Sequence, residues 1–79
     1  MMLRDAAEKV LKEVGRPMHS AEIVKYAIKR GWITPKSKTP DHSLQAVVWK
    51  DIQRNGSRSR FKMIGQGRIR RRYWLRQSA

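Results

Sequence analysis

Residues 39–56 constrain the fold most, because this segment marks both ends of a helix. Thr39 is suited to the N-cap, and Pro40 is suited to the first helical position, where its missing N–H costs nothing. Gly56 offers the left-handed residue that commonly ends a helix. The sequence therefore predicts a helix over residues 39–55.

The predicted helix has two different sides when its residues are spaced at 100°. Its apolar side carries Leu44, Val47, Val48 and Ile52. Its other side carries His42, Ala46, Trp49, Lys50 and Gln53. An exposed tryptophan, an amide, a cation and a small alanine suit close approach of a partner surface, so this helix is the candidate recognition element.

Composition sets the class of protein and of partner. Seventy-nine residues are expected to form a single domain, 1–79, with a modest core. The absence of cysteine excludes a disulfide framework and fits a reducing intracellular location, in the cytoplasm, nucleoid or nucleus. No apolar run is long enough to cross a bilayer, and no signal peptide is visible.

The net charge of +13 points to a polyanionic partner, and its distribution strengthens the point. Residues 1–31 carry seven basic and four acidic side chains, a net charge of +3. Residues 32–79 carry twelve basic and two acidic side chains, a net charge of +10. A solvated surface mixes both signs, and the second part of the chain does not. Nucleic acid is favoured over an acidic membrane or a protein.

Two further helices are expected before the loop at residues 34–40, which contains two prolines. Leu3 to Val14 repeat apolar residues at helical spacing and stop at Gly15. A second helix is expected over residues 20–30, with an apolar side of Ile23, Val24, Ala27 and Ile28. Its cap is either His19 or Ser20, and with His19 the residue Glu22 would complete a capping box.

A β-hairpin is expected after Gly56, where the apolar period changes to two. Phe61 and Met63 would face the core, with Tyr73 and Leu75 opposite them. The turn at residues 65–67 and the arginines after it would form a long cationic tip. At the base of this hairpin, Arg58 or Arg60 is expected to pair with Asp51, a carboxylate on the core-facing edge of the third helix.

Three helices followed by a two-stranded hairpin make a mainly α fold, the winged helix-turn-helix. The chain also resembles one family with this fold, HARE-HTH, over about residues 3–75. The resemblance is carried by Leu3 to Leu11, Ile23, Gly31, Leu44, Pro17-Met18-His19, Lys38-Thr39-Pro40, Asp51-Ile52 and Asn55-Gly56-Ser57-Arg58-Ser59-Arg60-Phe61.

The HARE-HTH resemblance implies a DNA-binding winged helix, often attached to DNA-modifying or transcription machinery and proposed to sense modified DNA. Such domains occur in additional-sex-combs-like proteins, some restriction endonucleases and the delta subunit of bacterial RNA polymerase. This chain differs in having extra arginines between Gly67 and Tyr73. It also has no acidic tail, which argues against the role of the delta subunit.

These observations predict a non-catalytic duplex-DNA binder that uses no cofactor and no metal. Base edges are assigned to Ser43, Gln45, Ala46, Trp49 and Lys50, with His42 near the backbone. Phosphates are assigned to Lys36, Lys38, Arg58 and Arg60, and Thr39 is a further predicted DNA-binding residue. The wing contact is assigned to Arg68, Arg70, Arg71 and Arg72.

Two other functions fit the sequence less well. The chain could bind RNA or single strands, with its aromatic residues stacked on bases. It could instead dock a protein through an apolar patch of Trp49 and Trp74. An enzyme is not expected, because the sequence has no HExxH motif, no glycine-rich phosphate loop and no cysteine nucleophile.

Overall fold

Three helices and a small sheet form the part of the chain that the structure describes. This structure, a computed structural model, describes residues 2–34, 38–65 and 67–71. The helices are α1 (Leu3–Val14), α2 (Ser20–Lys29) and α3 (Pro40–Asn55), and the 3-10 turn Gly56–Arg58 follows α3. The strands are β1 (Met18–His19), β2 (Phe61–Met63) and β3 (Arg68–Arg71). The winged-helix prediction is confirmed, with a three-stranded rather than a two-stranded sheet.

The start of α2 is a capping box built on His19. The backbone N–H of Ala21 donates to His19 Nδ1 at 3.1 Å, and the N–H of His19 donates to the Glu22 carboxylate at 3.1 Å. Of the two predicted caps, His19 is therefore the one used. The extended residue before it, Met18, is buried and pairs with β3, so the short connector is a third strand.

The α3 helix starts and ends where the sequence predicts, but its first turn is held differently. Thr39 occupies the N-cap position without a side-chain capping bond. Its ψ of 66° departs from the extended backbone that a capping threonine usually adopts. The Thr39 carbonyl accepts the backbone N–H of Ser43 at 3.1 Å, the first regular bond of the helix, and it also accepts the Ser43 hydroxyl at 3.3 Å. At the other end, Gly56 closes the helix with φ 55° and ψ −126°, a positive-φ conformation that differs from the predicted left-handed helical one.

The sheet order β1-β3-β2 places β3 in the centre, antiparallel to both neighbours. Met63 pairs with Ile69, and Phe61 pairs with Arg71. The predicted pairing of Phe61 and Met63 with Tyr73 and Leu75 is therefore wrong.

The physical reason is a short turn between β2 and β3. The N–H of Ile64 donates to the Arg68 carbonyl at 2.9 Å, so β3 starts directly after Gly67. Arg68, Arg70 and Arg71 consequently lie in a strand rather than in a long tip. Tyr73 and Leu75 fall outside the described residues.

The core joins the apolar faces of all three helices to the inner face of the sheet. Its buried members are Ala6, Ala7, Val10, Leu11, Met18, Ile23, Val24, Ala27, Leu44, Val48, Phe61 and Ile69. Trp32 and Ile33 pack against this cluster, as is usual for apolar residues after a helix stop. Ile28 was predicted on the apolar side of α2 but is 38 % exposed, because it lies at the last turn beyond the packed face.

A buried carboxylate, Asp51, connects α3 to the start of the wing. It accepts hydrogen bonds from Ser59 Oγ at 2.5 Å and from Asn55 Nδ2 at 3.0 Å. Arg4 Nη1 lies 3.7 Å from it. The predicted pairing with Arg58 or Arg60 is wrong. The hydroxyl of Ser59, the residue directly after the 3-10 turn, bonds the Asp51 carboxylate instead. The same hydroxyl also accepts the N–H of Phe61 at 3.2 Å.

Replacement of Ser59 by alanine is expected to lower the free energy of unfolding by about 1–3 kcal/mol. The change leaves one oxygen of buried Asp51 and the Phe61 N–H without their partner. Urea unfolding followed by tryptophan fluorescence measures the effect. Ser57→Ala in the same turn, where the side chain is exposed, is the matched control. Equal losses in both variants would contradict a structural role for the Ser59 hydroxyl.

Candidate nucleic-acid interface

The outward side of α3 is an exposed face, called here the α3 face. It consists of His42, Ala46, Trp49, Lys50 and Gln53, all exposed. The opposite side buries Leu44 and Val48 in the core. Trp49 is 53 % exposed, which is unusual for the largest apolar side chain. The structure therefore brings four predicted site residues, His42, Ala46, Trp49 and Lys50, together on one surface.

Two residues assigned to base edges are used inside the fold. The side-chain amide of Gln45 donates to the hydroxyl of Ser20 at 2.7 Å, and Ser20 is completely buried. The Ser43 hydroxyl donates to the Thr39 carbonyl. Gln45 thus fastens α3 to the start of α2, and the structure supports this role rather than base reading.

The outer surface of the sheet is the second exposed cationic region, called here the cationic sheet face. It consists of Lys62 and Arg68, which are exposed, and of Arg70 and the neighbouring His19, which are partly exposed, on the side opposite Ile69 and Phe61. Lys62 pairs directly with Arg70, and His19 pairs with Arg68. Lys62 and Arg70 thus carry like charges in directly opposed positions, which is unfavourable in a sheet. No acidic residue follows Asp51 in the sequence.

Arg71 does not belong to the cationic sheet face. It pairs with Phe61 and so points to the same side of the sheet as the core. Its side chain is partly buried, and its Nε is buried without a hydrogen-bond partner. The structure therefore separates Arg71 from Arg68 and Arg70. Arg72 and Lys36 lie outside the described residues.

Arg60, assigned to a phosphate, turns back to α1. Its Nη1 is 2.8 Å from Asp5 Oδ1, and its Nε is 3.6 Å from Glu8 Oε2. The hydrogen bond to Asp5 raises the pKa of the Arg60 guanidinium above its usual value. This arginine fastens the base of the wing to α1. Its neighbour Arg58 is exposed, as are Lys38 and Thr39 before α3.

All six side-chain carboxylates of the sequence have a basic side chain close by. The nitrogen-to-oxygen distances range from 2.8 Å for Arg60–Asp5 to 3.8 Å for Arg16–Glu22. Asp41 has only His42, which is charged when protonated. Five exposed cations of the predicted interface make no ion pair within the described part of the chain: Lys38, Lys50, Arg58, Lys62 and Arg68. The fold thus neutralises its acids and leaves these cations available.

The wing turn is locked to the helices at one junction. The Gly67 carbonyl accepts the Ser20 N–H at 2.9 Å, next to the Gln45–Ser20 bond. A Cβ added at Gly67 would lie 2.7 Å from His19 Nε2 and 3.0 Å from Gln45 Nε2. This Ser20 junction sets the cationic sheet face relative to α3. The sequence showed Gly67 only as a turn residue, since its neighbours here are distant in the chain.

Neither a metal site nor a membrane-spanning helix is present within residues 2–34, 38–65 and 67–71. No three histidine or acidic side chains there lie close enough to hold a metal ion. None of the helices described is long and apolar enough to cross a membrane.

Comparison with known families decides the class of this fold. The model of the HARE-HTH family, described as an HTH domain of ASXL and restriction endonuclease proteins among others, matches residues 1–74. The chain belongs to the HARE-HTH family. HARE-HTH domains are helix-turn-helix DNA-binding domains. No curated protein and no solved structure matches the chain.

Within this HARE-HTH domain, α2 and α3 form the helix-turn-helix, and β2 with β3 forms the wing. The Ser20 junction joins these two parts, because its bonds involve the first residue of α2, a residue of α3 and the wing turn. Both exposed regions, the α3 face and the cationic sheet face, are therefore carried by a rigid frame rather than by loops.

A glycine pair tests the Ser20 junction. Gly65 and Gly67 both have positive φ, so alanine at either position should cost about 1–2 kcal/mol of unfolding free energy. Only Gly67→Ala also places a Cβ against the His19 ring and the Gln45 amide, so that both side chains must move away from it. A Cβ at Gly65 meets nothing within 4 Å. Thermal or urea unfolding should show a clearly larger loss for Gly67→Ala. Indistinguishable losses would argue against close packing at the junction.

Proposed function

We propose that this HARE-HTH domain binds duplex DNA without catalysing a reaction. In this proposal α3 enters the major groove and the cationic sheet face lies on the sugar-phosphate backbone or at the minor groove. The observation that carries the proposal is the charge arrangement. The carboxylates are paired inside the fold, while Lys38, Lys50, Arg58, Lys62 and Arg68 have no carboxylate partner in the described residues.

The α3 face has the side chains that a groove-reading helix needs. The major groove is about 12 Å wide and admits one helix. Ala46 lets the helix approach closely, and Lys50 can reach the acceptors of guanine. Trp49 offers an apolar surface to sugars or to the methyl group of thymine. His42, exposed near the start of α3, lies on the side of this face where backbone contact is expected.

Phosphate contacts are proposed at the start of α3 and after its end. The first backbone N–H groups of a helix have no partner within it and attract anions. Lys38 and Thr39 are exposed beside those groups, and Lys36 precedes them in the sequence. Arg58 is exposed in the turn after α3. Together they would hold the backbone on both sides of the groove.

The wing would bind through its flat outer surface rather than through a tip. Lys62 and Arg70 are opposed across two strands, and Arg68 follows on the same side. An anionic backbone placed along this surface would contact Lys62 and Arg68, which make no ion pair with the described residues. Arg71 and Arg72 continue the basic run toward the C-terminus and are proposed as additional contacts.

The family suggests a finer function, which is part of the proposal. A methylated base would present Trp49 with an apolar surface similar to the thymine methyl group. The domain would then act in DNA-modification, restriction or transcription machinery, within the compartment that holds DNA. Any nuclease or other catalytic activity would belong to a partner or to another domain.

Fluorescence anisotropy with a labelled random duplex across a salt series tests the proposed function. Neutralisation of about four to six phosphates predicts a log–log slope of about −4 to −5. Unlabelled RNA and single-stranded DNA serve as competitors and should displace the domain less well than duplex. A flat slope would overturn the proposal in favour of protein docking, and displacement by RNA alone would assign the surface to RNA.

Single substitutions locate the wing contact. Lys62→Gln and Arg68→Gln should each reduce the magnitude of the salt slope by about one, with similar effects on unrelated duplex sequences. Lys25→Gln on α2 is the matched control, since Lys25 is exposed and lies on another part of the fold. If the control weakens binding as much as the wing variants, the backbone does not lie on the cationic sheet face.

A further inference from the structure

A cleft opens between the first turn of α1 and the second half of α3, beside the α3 face. Its volume is about 180 Å³, and it is lined by Arg4, Val47, Lys50, Asp51 and Arg54. Lys50 and Arg54 are one helical turn apart on α3, and Arg4 reaches the cleft from α1. Three cations from two helices therefore surround one small space.

The single carboxylate in this cleft is largely occupied. The two oxygens of Asp51 accept hydrogen bonds from Asn55 and Ser59, and its side chain is only 5 % exposed. Arg4 is its only cationic neighbour within ion-pair distance among the described residues, at 3.7 Å. Three cations against one carboxylate leave the cleft with a formal charge of +2.

The cations of the cleft have donor capacity that the fold does not use. The Nε of Arg4 is buried without a hydrogen-bond partner, an arrangement that costs free energy until an acceptor is supplied. Arg54 is exposed and forms no ion pair with any described residue. Guanidinium groups present planar pairs of donors that match the oxygens of a phosphate group.

We infer that this cleft is a phosphate-binding site, with Arg4 supplied by α1, Arg54 supplied by α3, and Lys50 shared with the α3 face. The ligand is a phosphate group, supplied by a nucleic-acid backbone or by a small phosphorylated molecule. The backbone source rests on the proposed function: a duplex held by α3 would place one strand beside this edge. The inference gives α1, otherwise a scaffold helix, a direct part in binding.

Arg54→Gln is the cleanest test, because Arg54 is exposed and forms no ion pair with the described residues. On the labelled duplex this variant should reduce the magnitude of the log–log salt slope by about one and weaken binding roughly five- to tenfold near 0.1 M salt. Lys12→Gln, an equal charge change at an exposed position of α1, is the control and should leave the slope unchanged. Arg4→Gln should match Arg54→Gln, with thermal unfolding recorded because Arg4 also lies near Asp51.

The outcomes separate this inference from the proposed function. A steep wild-type slope with equal behaviour of Arg54→Gln and Lys12→Gln would overturn the cleft inference and leave DNA binding intact. A flat wild-type slope would overturn DNA binding. In that case, titration of ¹⁵N-labelled protein with inorganic phosphate decides the matter: shifts at Arg4, Lys50 and Arg54 that are lost in Arg54→Gln support a site for small phosphates. Absence of such shifts would overturn the cleft inference as well.

Discussion

The position of the wing depends on one buried carboxylate. Asp51 sits on the core side of α3 and receives the Ser59 hydroxyl, which itself receives the N–H of Phe61. The side chain of Phe61 is fully buried, so this short chain of hydrogen bonds fixes where β2 enters the core. Burying a carboxylate is costly unless its oxygens are hydrogen-bonded, and here both oxygens are. Arg4 of α1 also lies 3.7 Å from the Asp51 carboxylate. Contacts from α1, from α3 and from the start of the wing therefore meet at this one charge.

The charge arrangement of the surface follows from how the fold uses its few acids. Asp5 and Glu8 on α1 hold Arg60, and Asp51 has Arg4 nearby. These contacts use arginines that the sequence alone could equally have assigned to a partner. The wing strands then carry cations with no acid among them, in positions where they face one another. A polyanion is the partner that this arrangement accommodates best. The α3 face, next to them, supplies the groups for contact with bases.

Local patterns predicted much of the fold. The apolar repeats located all three helices, and Glu22 three residues after His19 anticipated the capping box that the structure contains. The predicted register of the wing strands was wrong, because the turn between β2 and β3 is short. The β3 strand therefore begins at Arg68, and Ile69 pairs with Met63. A single isoleucine between arginines is a weak signal for a buried strand. Similarly, a two-residue β1 is too short to show a period.

The site was predicted less completely, for a physical reason. The side chain of Gln45 bonds Ser20, which is 25 residues away in the sequence, and the side chain of Arg60 bonds Asp5, which is 55 residues away. No local sequence pattern predicts contacts over such separations. The exposed face of α3 was predictable, because helical spacing alone determines which side chains point away from an apolar stripe. The cleft beside Asp51 needed the crossing of α1 and α3, which the sequence does not specify.

The most direct test is a map of amide chemical shifts in the ¹⁵N-labelled protein as duplex DNA is added. We expect changes centred on Ala46, Trp49 and Lys50 of α3 and on Lys62 and Arg68 of the wing. Amides around Lys12 of α1, Lys25 of α2 and Trp32, which follows α2, should stay in place. Changes centred on Lys12, Lys25 and Trp32, with α3 and the wing unaffected, would contradict this binding surface.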